Sequence, residues 1–78
     1  MAEPEWRRVA EEIRQRIRQQ DVIPLPGGGH RLPRYDDLIV QHRTSYGTLR
    51  TVLLVLEAEG WIVRRHGVDL LVREDHPE

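Results

Sequence analysis

Residues 45–50, Ser-Tyr-Gly-Thr-Leu-Arg, carry the side chains in this chain best suited to binding a phosphate or the edge of a base. Ser45 is a natural helix N-cap, and its hydroxyl can also face a phosphate. Gly47 permits close backbone approach, Thr48 offers a hydroxyl and a methyl, and Arg50 can fork onto guanine or grip a phosphate. The free N–H groups of a first helical turn add a site for negative charge. This segment therefore indicates a helix whose N-terminal end meets nucleic acid.

A second basic cluster lies at residues 64–67, Arg-Arg-His-Gly, between two short runs of β-branched and bulky residues. The flanking runs predict a two-stranded hairpin over residues 61–72. A hairpin tip of this kind can lie against a minor groove or the adjacent phosphates. The predicted contacts from this tip are Arg64, Arg65, His66 and Gly67.

Three helices are expected to position these two clusters. Helix 1 is predicted over residues 4–20, with Pro4 in its first turn, and helix 2 over 35–42. The recognition helix is predicted over 45–59, and Gly60 suits its left-handed C-cap. Apolar residues recur at helical spacing: Trp6, Val9, Ala10, Ile13, Ile17, Leu38, Ile39, Leu49, Val52, Leu53 and Leu56. The expected fold class is mainly α with a small β-hairpin, a winged helix-turn-helix.

Two segments are predicted to be irregular. Residues 21–30 contain two prolines and three consecutive glycines, which predict a surface loop. No Lys-Ser/Thr pair follows these glycines and no strand precedes them, which argues against a phosphate-binding loop. Arg31-Leu32 is expected to form a short strand beside the hairpin. Residues 73–78 are polar and expected to be frayed, so residues 1–78 are predicted to form a single domain.

Composition excludes several classes of protein. The chain has 78 residues and no cysteine, which fits one small domain in a reducing, cytoplasmic setting. There is no apolar run of membrane-spanning length and no signal-peptide pattern. The four histidines lack metal-ligand spacing, and no nucleophile–base constellation is evident. We therefore expect no enzyme activity, no metal and no cofactor.

The charge distribution is uneven although the net charge is only −1. Acids collect in the first twelve residues and in the tail from Asp69, whereas residues 13–20, 30–50 and 61–67 are locally basic. All twelve basic residues are arginine. Arginine suits bidentate contacts to phosphate and guanine, although a GC-rich coding genome explains the larger share of this bias.

Residues 45–50 and 53–65 resemble the DNA-binding domain of the GntR family of bacterial transcription regulators. Residues 9–17 look like that family's first helix, and Leu32-Pro33 with Leu38 looks like the start of its second. The resemblance covers about residues 6–72. It implies a sequence-specific regulator, with repression the expected mode, that binds a short palindromic operator in double-stranded DNA as a dimer. The larger C-terminal effector domain usual in the family is not seen, so we expect a stand-alone reader or a fragment, with no small-molecule effector.

Departures from the family pattern shift the expected contacts. Tyr46 takes the place of an arginine, Tyr35 and Asp36 replace a Glu-Arg pair, and the turn glycine is Arg43. Two expected DNA-contacting arginines are therefore missing, and the wing departs from Gly-x-Gly-Thr after Gly67. The residues that match are Gly47, Thr48, Arg50, His66 and Gly67. Those that compensate from nearby positions are Arg34, Arg43 and Tyr46.

Each candidate residue also has a purely structural explanation. Ser45 can serve as a cap alone, Arg50 can pair with Asp36 or Asp37, and His66 can be a turn residue. A second hypothesis is a winged helix adapted to protein contact, with an aromatic and apolar face of Tyr35, His42, Tyr46 and Leu70. The homodimer can pair through helix 1, through the wing, or only on DNA. Trp6, a large apolar residue near the N-terminus, favours helix 1 as the pairing surface, although Trp6 can instead close the domain's own core.

Overall fold

The computed structural model describes residues 4–65 and 69–78 of the chain. Three helices and a small antiparallel sheet form the winged helix-turn-helix fold that the sequence predicts, and this fold class is confirmed. The elements in chain order are α1 (Glu5–Arg18), β1 (Ile23–Pro24), β2 (His30–Arg31), α2 (Tyr35–His42), α3 (Tyr46–Ala58), β3 (Ile62–Arg65) and β4 (Asp69–Val72). We call β3 and β4 the wing, and α2 with α3 the helix-turn-helix.

One apolar core lies between α1 and α3, and side chains of α2 and the wing belong to it. Apolar residues three or four positions apart face the same side of each helix, so burial of that side drives the packing. Most of the apolar residues that recur at helical spacing are buried: Val9, Ala10, Ile13, Ile17, Leu38, Leu49, Val52, Leu53 and Leu56. Trp6 and Ile39 are partly buried against them, and Ile62 of the predicted hairpin is buried in the same core. Leu32, Trp61 and Leu70 join the same cluster.

The sheet has four strands in the order β1-β2-β4-β3, where we expected a two-stranded hairpin beside one short strand. In the wing, Ile62 pairs with Val72 and Arg65 with Asp69. β2 joins β4 by pairing Arg31 with Leu71. This attaches the chain before α2 to the wing and fixes where the helix-turn-helix begins.

The expected loop at residues 21–30 contains the remaining strand pairing, which corrects that prediction. Ile23 pairs with Arg31, and Pro24 pairs with His30. Pro24 is tolerated because β1 lies at the sheet edge, where a missing N–H breaks no ladder. Glycines 27–29 all have positive φ, which lets the chain reverse between the two strands. Strands of two residues leave no alternating pattern in a sequence.

The C-terminal tail is packed and not frayed. The Arg73 N–H donates to the Trp61 carbonyl at 2.9 Å. The His76 ring stacks on the Trp61 ring with centroids 5.3 Å apart, and Glu74 lies 3.2 Å from His30 Nδ1. These contacts tie residues 73–76 to the base of the wing because the Trp61 ring offers a broad surface for packing.

Helix α1 ends two residues before the predicted position, at Arg18. Gln20 adopts a left-handed conformation with φ of 58°, which interrupts the helix. The backbone N–H groups of Gln19 and Gln20 still donate to carbonyls of the last turn, at 2.9 and 3.1 Å. The shorter helix leads the chain directly into the edge of the sheet.

The turn of the helix-turn-helix depends on a left-handed residue, Arg43, with φ 52° and ψ 56°. The carbonyls of His42, the last residue of α2, and of Arg43 accept hydrogen bonds from the Arg8 guanidinium of α1 at 3.2–3.3 Å. These bonds satisfy carbonyl groups that a helix end leaves without intrahelical partners. The turn is therefore held from α1 although its backbone conformation is unfavourable for arginine.

Replacing Arg43 by glycine is expected to stabilise the domain by about 0.5–1 kcal/mol. A left-handed non-glycine residue costs about 1–2 kcal/mol, and glycine's greater freedom in the unfolded chain offsets about half of that gain. Denaturant unfolding measures the change. Arg43→Ala is the control, because it removes the same side chain but keeps the backbone cost. A glycine variant no more stable than the alanine variant would contradict this account of the turn.

Candidate nucleic-acid interface

The first turn of α3 is a capped and solvent-facing helix end. Ser45 is extended at φ −102° and ψ 164°, and its Oγ accepts a hydrogen bond from the Thr48 N–H at 3.2 Å. The Ser45 hydroxyl also donates to Thr48 Oγ1 at 3.1 Å. Ser45 is therefore the helix cap that the sequence predicts, and Thr48 is drawn against it. Both hydroxyl groups stay at the surface beside the positive end of the helix dipole.

Gly47 is exposed in the same turn, and the domain's own packing does not require a glycine there. A Cβ built on Gly47 meets no other atom within 4 Å, and its φ lies outside the left-handed region. Neither crowding nor backbone conformation explains the residue. A smooth surface at Gly47 instead suits close approach by a molecule outside the chain.

The arginines divide into two groups when their ion pairs are compared. Six of the arginines in the described part of the chain lie within 4.0 Å of a carboxylate: Arg8, Arg14, Arg16, Arg18, Arg64 and Arg73. The other six form no ion pair with a described residue: Arg7, Arg31, Arg34, Arg43, Arg50 and Arg65. Four of those six belong to the helix-turn-helix or the wing, so positive charge stays available on these elements.

Arg50 is exposed on α3. It makes no ion pair with Asp36 or Asp37, the carboxylates with which a purely structural role would pair it. The helical repeat places Arg50 on the side of α3 that carries Gly47 and Leu54. Leu54 is 54% exposed, which shows that this side faces solvent. The Arg50 guanidinium is therefore free to meet a ligand in front of α3.

The two wing arginines differ in availability, although the sequence grouped them together. Arg65 is exposed beside the tip of the wing. The Arg64 side chain is only 28% exposed, and its Nε lies 3.2 Å from Glu57 Oε2 of α3. That contact lacks the alignment of a hydrogen bond, and Arg64 Nε and Nη2 are buried without hydrogen-bond partners among the described residues. Arg64 therefore packs the wing against α3, and Arg65 is the freer cation.

Two further predicted contacts, His66 and Gly67, lie outside the described residues and stay predictions. Arg34 is exposed at the N-cap of α2, where its side chain makes no capping hydrogen bond. Arg43 is exposed at the turn. Arg34 and Arg43 therefore lie at the two ends of α2, and Arg43 comes two residues before the Ser45 cap of α3.

Tyr46 and Tyr35 form an aromatic pair, the part of the face suggested for protein contact that the structure brings together. Each is the first residue of its helix, Tyr35 in α2 and Tyr46 in α3. Their ring centroids lie 5.3 Å apart with planes inclined by 31°. Tyr46 is 60% exposed, whereas Tyr35 packs against the core. The two tyrosines lie eleven positions apart in the sequence, and the turn between α2 and α3 brings their rings into contact.

The other two residues of the face suggested for protein contact do not join the tyrosine pair. His42 is only 7% exposed and Leu70 only 2%, so neither can share a surface with the two tyrosines. His42 Nδ1 lies 2.9 Å from Glu12 Oε1, and Arg16 Nη1 lies 3.2 Å from His42 Nε2. His42 is thus a polar part of the packing between α1 and α2, which the sequence could not distinguish from a surface histidine.

Glu12 contributes a fixed negative charge to this packing. Burial by itself would raise the pKa of Glu12, but hydrogen bonds from His42 and Arg8 outweigh that effect and hold the pKa below its ordinary value of 4.5. The ionised carboxylate therefore bridges the Arg8 and His42 side chains. This links α1 to the end of α2 that leads into the turn.

No helix within residues 4–65 and 69–78 combines the length and apolar character needed to cross a membrane.

The family model for bacterial regulatory proteins of the gntR family matches residues 6–72. The HTH-type transcriptional regulator Rv0792c of Mycobacterium tuberculosis (strain ATCC 25618 / H37Rv) is 37% identical over 71 residues. The match covers 91% of this chain and 25% of that protein, so the chain spans about a quarter of this relative's length.

Two solved structures share the fold. The possible transcriptional regulator YydK from Bacillus subtilis subsp. subtilis str. 168 is similar with a TM-score of 0.78 and 25% identity. That match covers 97% of this chain and 32% of the other. The N-terminal domain of AraR, solved in complex with mutant ORR3, is similar with a TM-score of 0.76 and 25% identity. Here 92% of this chain and 97% of the other are covered, so the two folds correspond over nearly their whole lengths.

Proposed function

Because this chain belongs to the gntR family of bacterial regulatory proteins, we propose that it binds duplex DNA through α3. We propose also that it regulates transcription at the DNA site to which it binds. The observation that carries the proposal is the pairing pattern of the arginines. Those on α1 and the tail mostly face carboxylates, whereas Arg34, Arg43, Arg50 and Arg65 have no carboxylate partner among the described residues. Unpaired arginine is the charge that DNA phosphates neutralise.

The shape of the helix-turn-helix supports α3 as the recognition element. A major groove admits one helix, and residues of its first turn meet the base edges. In α3 that turn carries the smooth surface of Gly47, the hydroxyl of Thr48 and, one position beyond the turn, Arg50. Arg50 can form two parallel hydrogen bonds to guanine. The α3 turn therefore supplies sequence readout, and the surrounding arginines supply phosphate contacts.

Two copies of the domain are proposed to bind one palindromic site. A single small module makes few contacts, and a symmetric operator presents its half-sites about one helical turn apart. Trp6 packs against the domain's own core, with Arg7 over its ring at 5.6 Å. Trp6 therefore offers little apolar surface to a partner, and we favour pairing on DNA over pairing through α1. Repression, by occupation of the operator, is the mode we propose.

Selection from a pool of random duplexes tests this function. We expect the chain to retain duplexes with a shared palindromic motif, and sedimentation to find two chains on each. Deletion of that motif upstream of a reporter should raise transcription. Retention of no sequence above background, or binding that does not weaken with salt, would overturn the proposal. The protein-contact hypothesis would then become the better account.

The wing is proposed to grip phosphates through Arg65. Arg65→Ala is expected to weaken binding to every duplex alike and to flatten the slope of log K against log salt by about 0.9 for each phosphate that Arg65 neutralises. Arg64→Ala is the matched comparison, because Arg64 is held against Glu57. Arg64→Ala should lower the free energy of unfolding of the domain and leave the salt slope nearly unchanged. A change in sequence preference with an unaltered slope in Arg65→Ala would show that the wing does not grip a phosphate.

A further inference from the structure

The tyrosine pair at the N-termini of α2 and α3 has a use beyond general DNA binding. We propose that Tyr46, held in place by Tyr35, determines specificity by packing its ring against the C5 methyl group of one thymine in each half-site. This inference rests on the proposed function, since it requires α3 to enter the major groove. It names the base feature that Tyr46 recognises.

The position of Tyr46 aims its ring away from the body of α3. Side chains on a helix lean toward its N-terminus, so the side chain of this first residue projects beyond the helix end. Tyr46 is 60% exposed although its ring is large and apolar. The Tyr46 ring is therefore presented at the end of α3 that is proposed to approach the bases.

Tyr35 limits the freedom of that ring. Tyr35 is half-buried and packs against the core, so its own position is fixed. Its ring lies 5.3 Å from the Tyr46 ring at an inclination of 31°, within the usual range for an aromatic pair. An exposed aromatic residue without such a neighbour would lose rotational freedom on binding. The Tyr35 contact reduces that cost, and the remainder of the Tyr46 ring stays available.

The chemistry of the Tyr46 ring selects its partner on DNA. The phenol hydroxyl can donate one hydrogen bond to a phosphate, but the face of the ring is apolar and has no such partner. Arg43 and Arg50, which precede and follow Tyr46 in the sequence, can meet the phosphate charge. Among the features of the major groove, the apolar one is the thymine C5 methyl group. Packing of that methyl against an aromatic ring removes apolar surface from water, an effect worth about a fourfold change in affinity.

Deoxyuridine substitution tests this, because it removes the C5 methyl and nothing else. Each thymine of a selected duplex is replaced in turn, and binding of the full chain is titrated. We expect one position in each half-site where deoxyuridine lowers affinity about fourfold. At that position, Tyr46→Ala should bind the thymine and deoxyuridine duplexes with equal affinity. Tyr46→Phe should still bind the thymine duplex more tightly. Tyr35→Ala should reduce the difference while Tyr46 is still present.

Tyr46→Arg is a second variant that should bind the thymine and deoxyuridine duplexes with equal affinity. Circular dichroism checks that each variant is folded. The inference is overturned if replacing thymine by deoxyuridine changes the affinity at no position of the duplex. It is also overturned if both Tyr46→Ala and Tyr46→Arg show the same loss of affinity on that replacement as the unmodified chain. Those outcomes leave salt-dependent duplex binding intact. Failure of the proposed function differs, because the unmodified chain would then bind no duplex, and the inference would fall with it.

Discussion

Replacing Leu53 by alanine is expected to lower the free energy of unfolding by about 2–5 kcal/mol. Leu53 lies in the middle of α3 and is fully buried in the common core. Its truncation removes apolar packing against α1 and leaves a cavity that closely packed neighbours cannot fill. In a domain this small, such a change is a large fraction of the total stability. Denaturant unfolding followed by circular dichroism measures it.

Leu54→Ala is the matched control for that substitution. Leu54 neighbours Leu53 on the same helix and the substitution removes the same atoms, but its side chain is 54% exposed. We expect a change within about 0.5 kcal/mol, as at other surface positions. Equal destabilisation of the two variants would contradict the assignment of α3's buried side.

Replacing Arg50 by alanine is expected to weaken specific DNA binding by about 1–3 kcal/mol, or roughly 5- to 150-fold. Arg50 is exposed near the start of α3 and has no ion pair with a described residue. The substitution therefore removes an interaction with DNA without disturbing an internal one. If Arg50 reads a base, discrimination at one position of each half-site should relax as well. Competition titrations with single-base variants of the selected duplex measure both effects.

Arg73→Ala is the control for Arg50→Ala. It removes the same charge, but Arg73 belongs to the tail and pairs with Asp75 at 3.0 Å. The tail lies beside Trp61, beyond the C-terminal end of α3. We expect specific affinity in this variant to stay near that of the unmodified chain. An Arg50→Ala variant that is folded and binds as tightly as Arg73→Ala would remove Arg50 from the interface.

The sequence predicted the helices and core well because burial imposes a regular spacing on them. The 3.6-residue repeat in α1 and α3 follows from each helix having one side against the core. The short wing strands were predicted for a related reason, since β-branched and bulky residues flank a turn. Ser45 and Gly60 marked the ends of α3 because caps require particular residues.

The remaining features depend on contacts between different elements of the fold. β1 and β2 are only two residues long each, and β2 also pairs with β4 of the wing. The tail is ordered by Trp61, and Arg64 is drawn to Glu57 across the gap between wing and helix. Such pairings leave no local pattern. They can be predicted only after the fold is known.

The candidate site shows the same division. The predicted first turn of α3 is exposed as expected, and the cap at Ser45 is confirmed. The sequence could not show which arginines face carboxylates. It placed Tyr35 and Tyr46 on one face with His42 and Leu70, and the packing keeps only the tyrosine pair at the surface. The burial of His42 likewise depends on Glu12 and Arg16, which lie on another helix. The sequence therefore indicated the elements of the site, and the packing decides which side chains are free.

The most direct test of the central claim, that the free arginines around α3 bind duplex DNA, is an equilibrium titration of a selected, labelled duplex over a series of salt concentrations. The claim predicts that log K falls linearly with log salt, with a slope of about −0.9 for each phosphate neutralised. A random duplex should bind more weakly, and its log K should also fall linearly with log salt. Binding whose strength is the same at every salt concentration, or no binding at low salt, would contradict it.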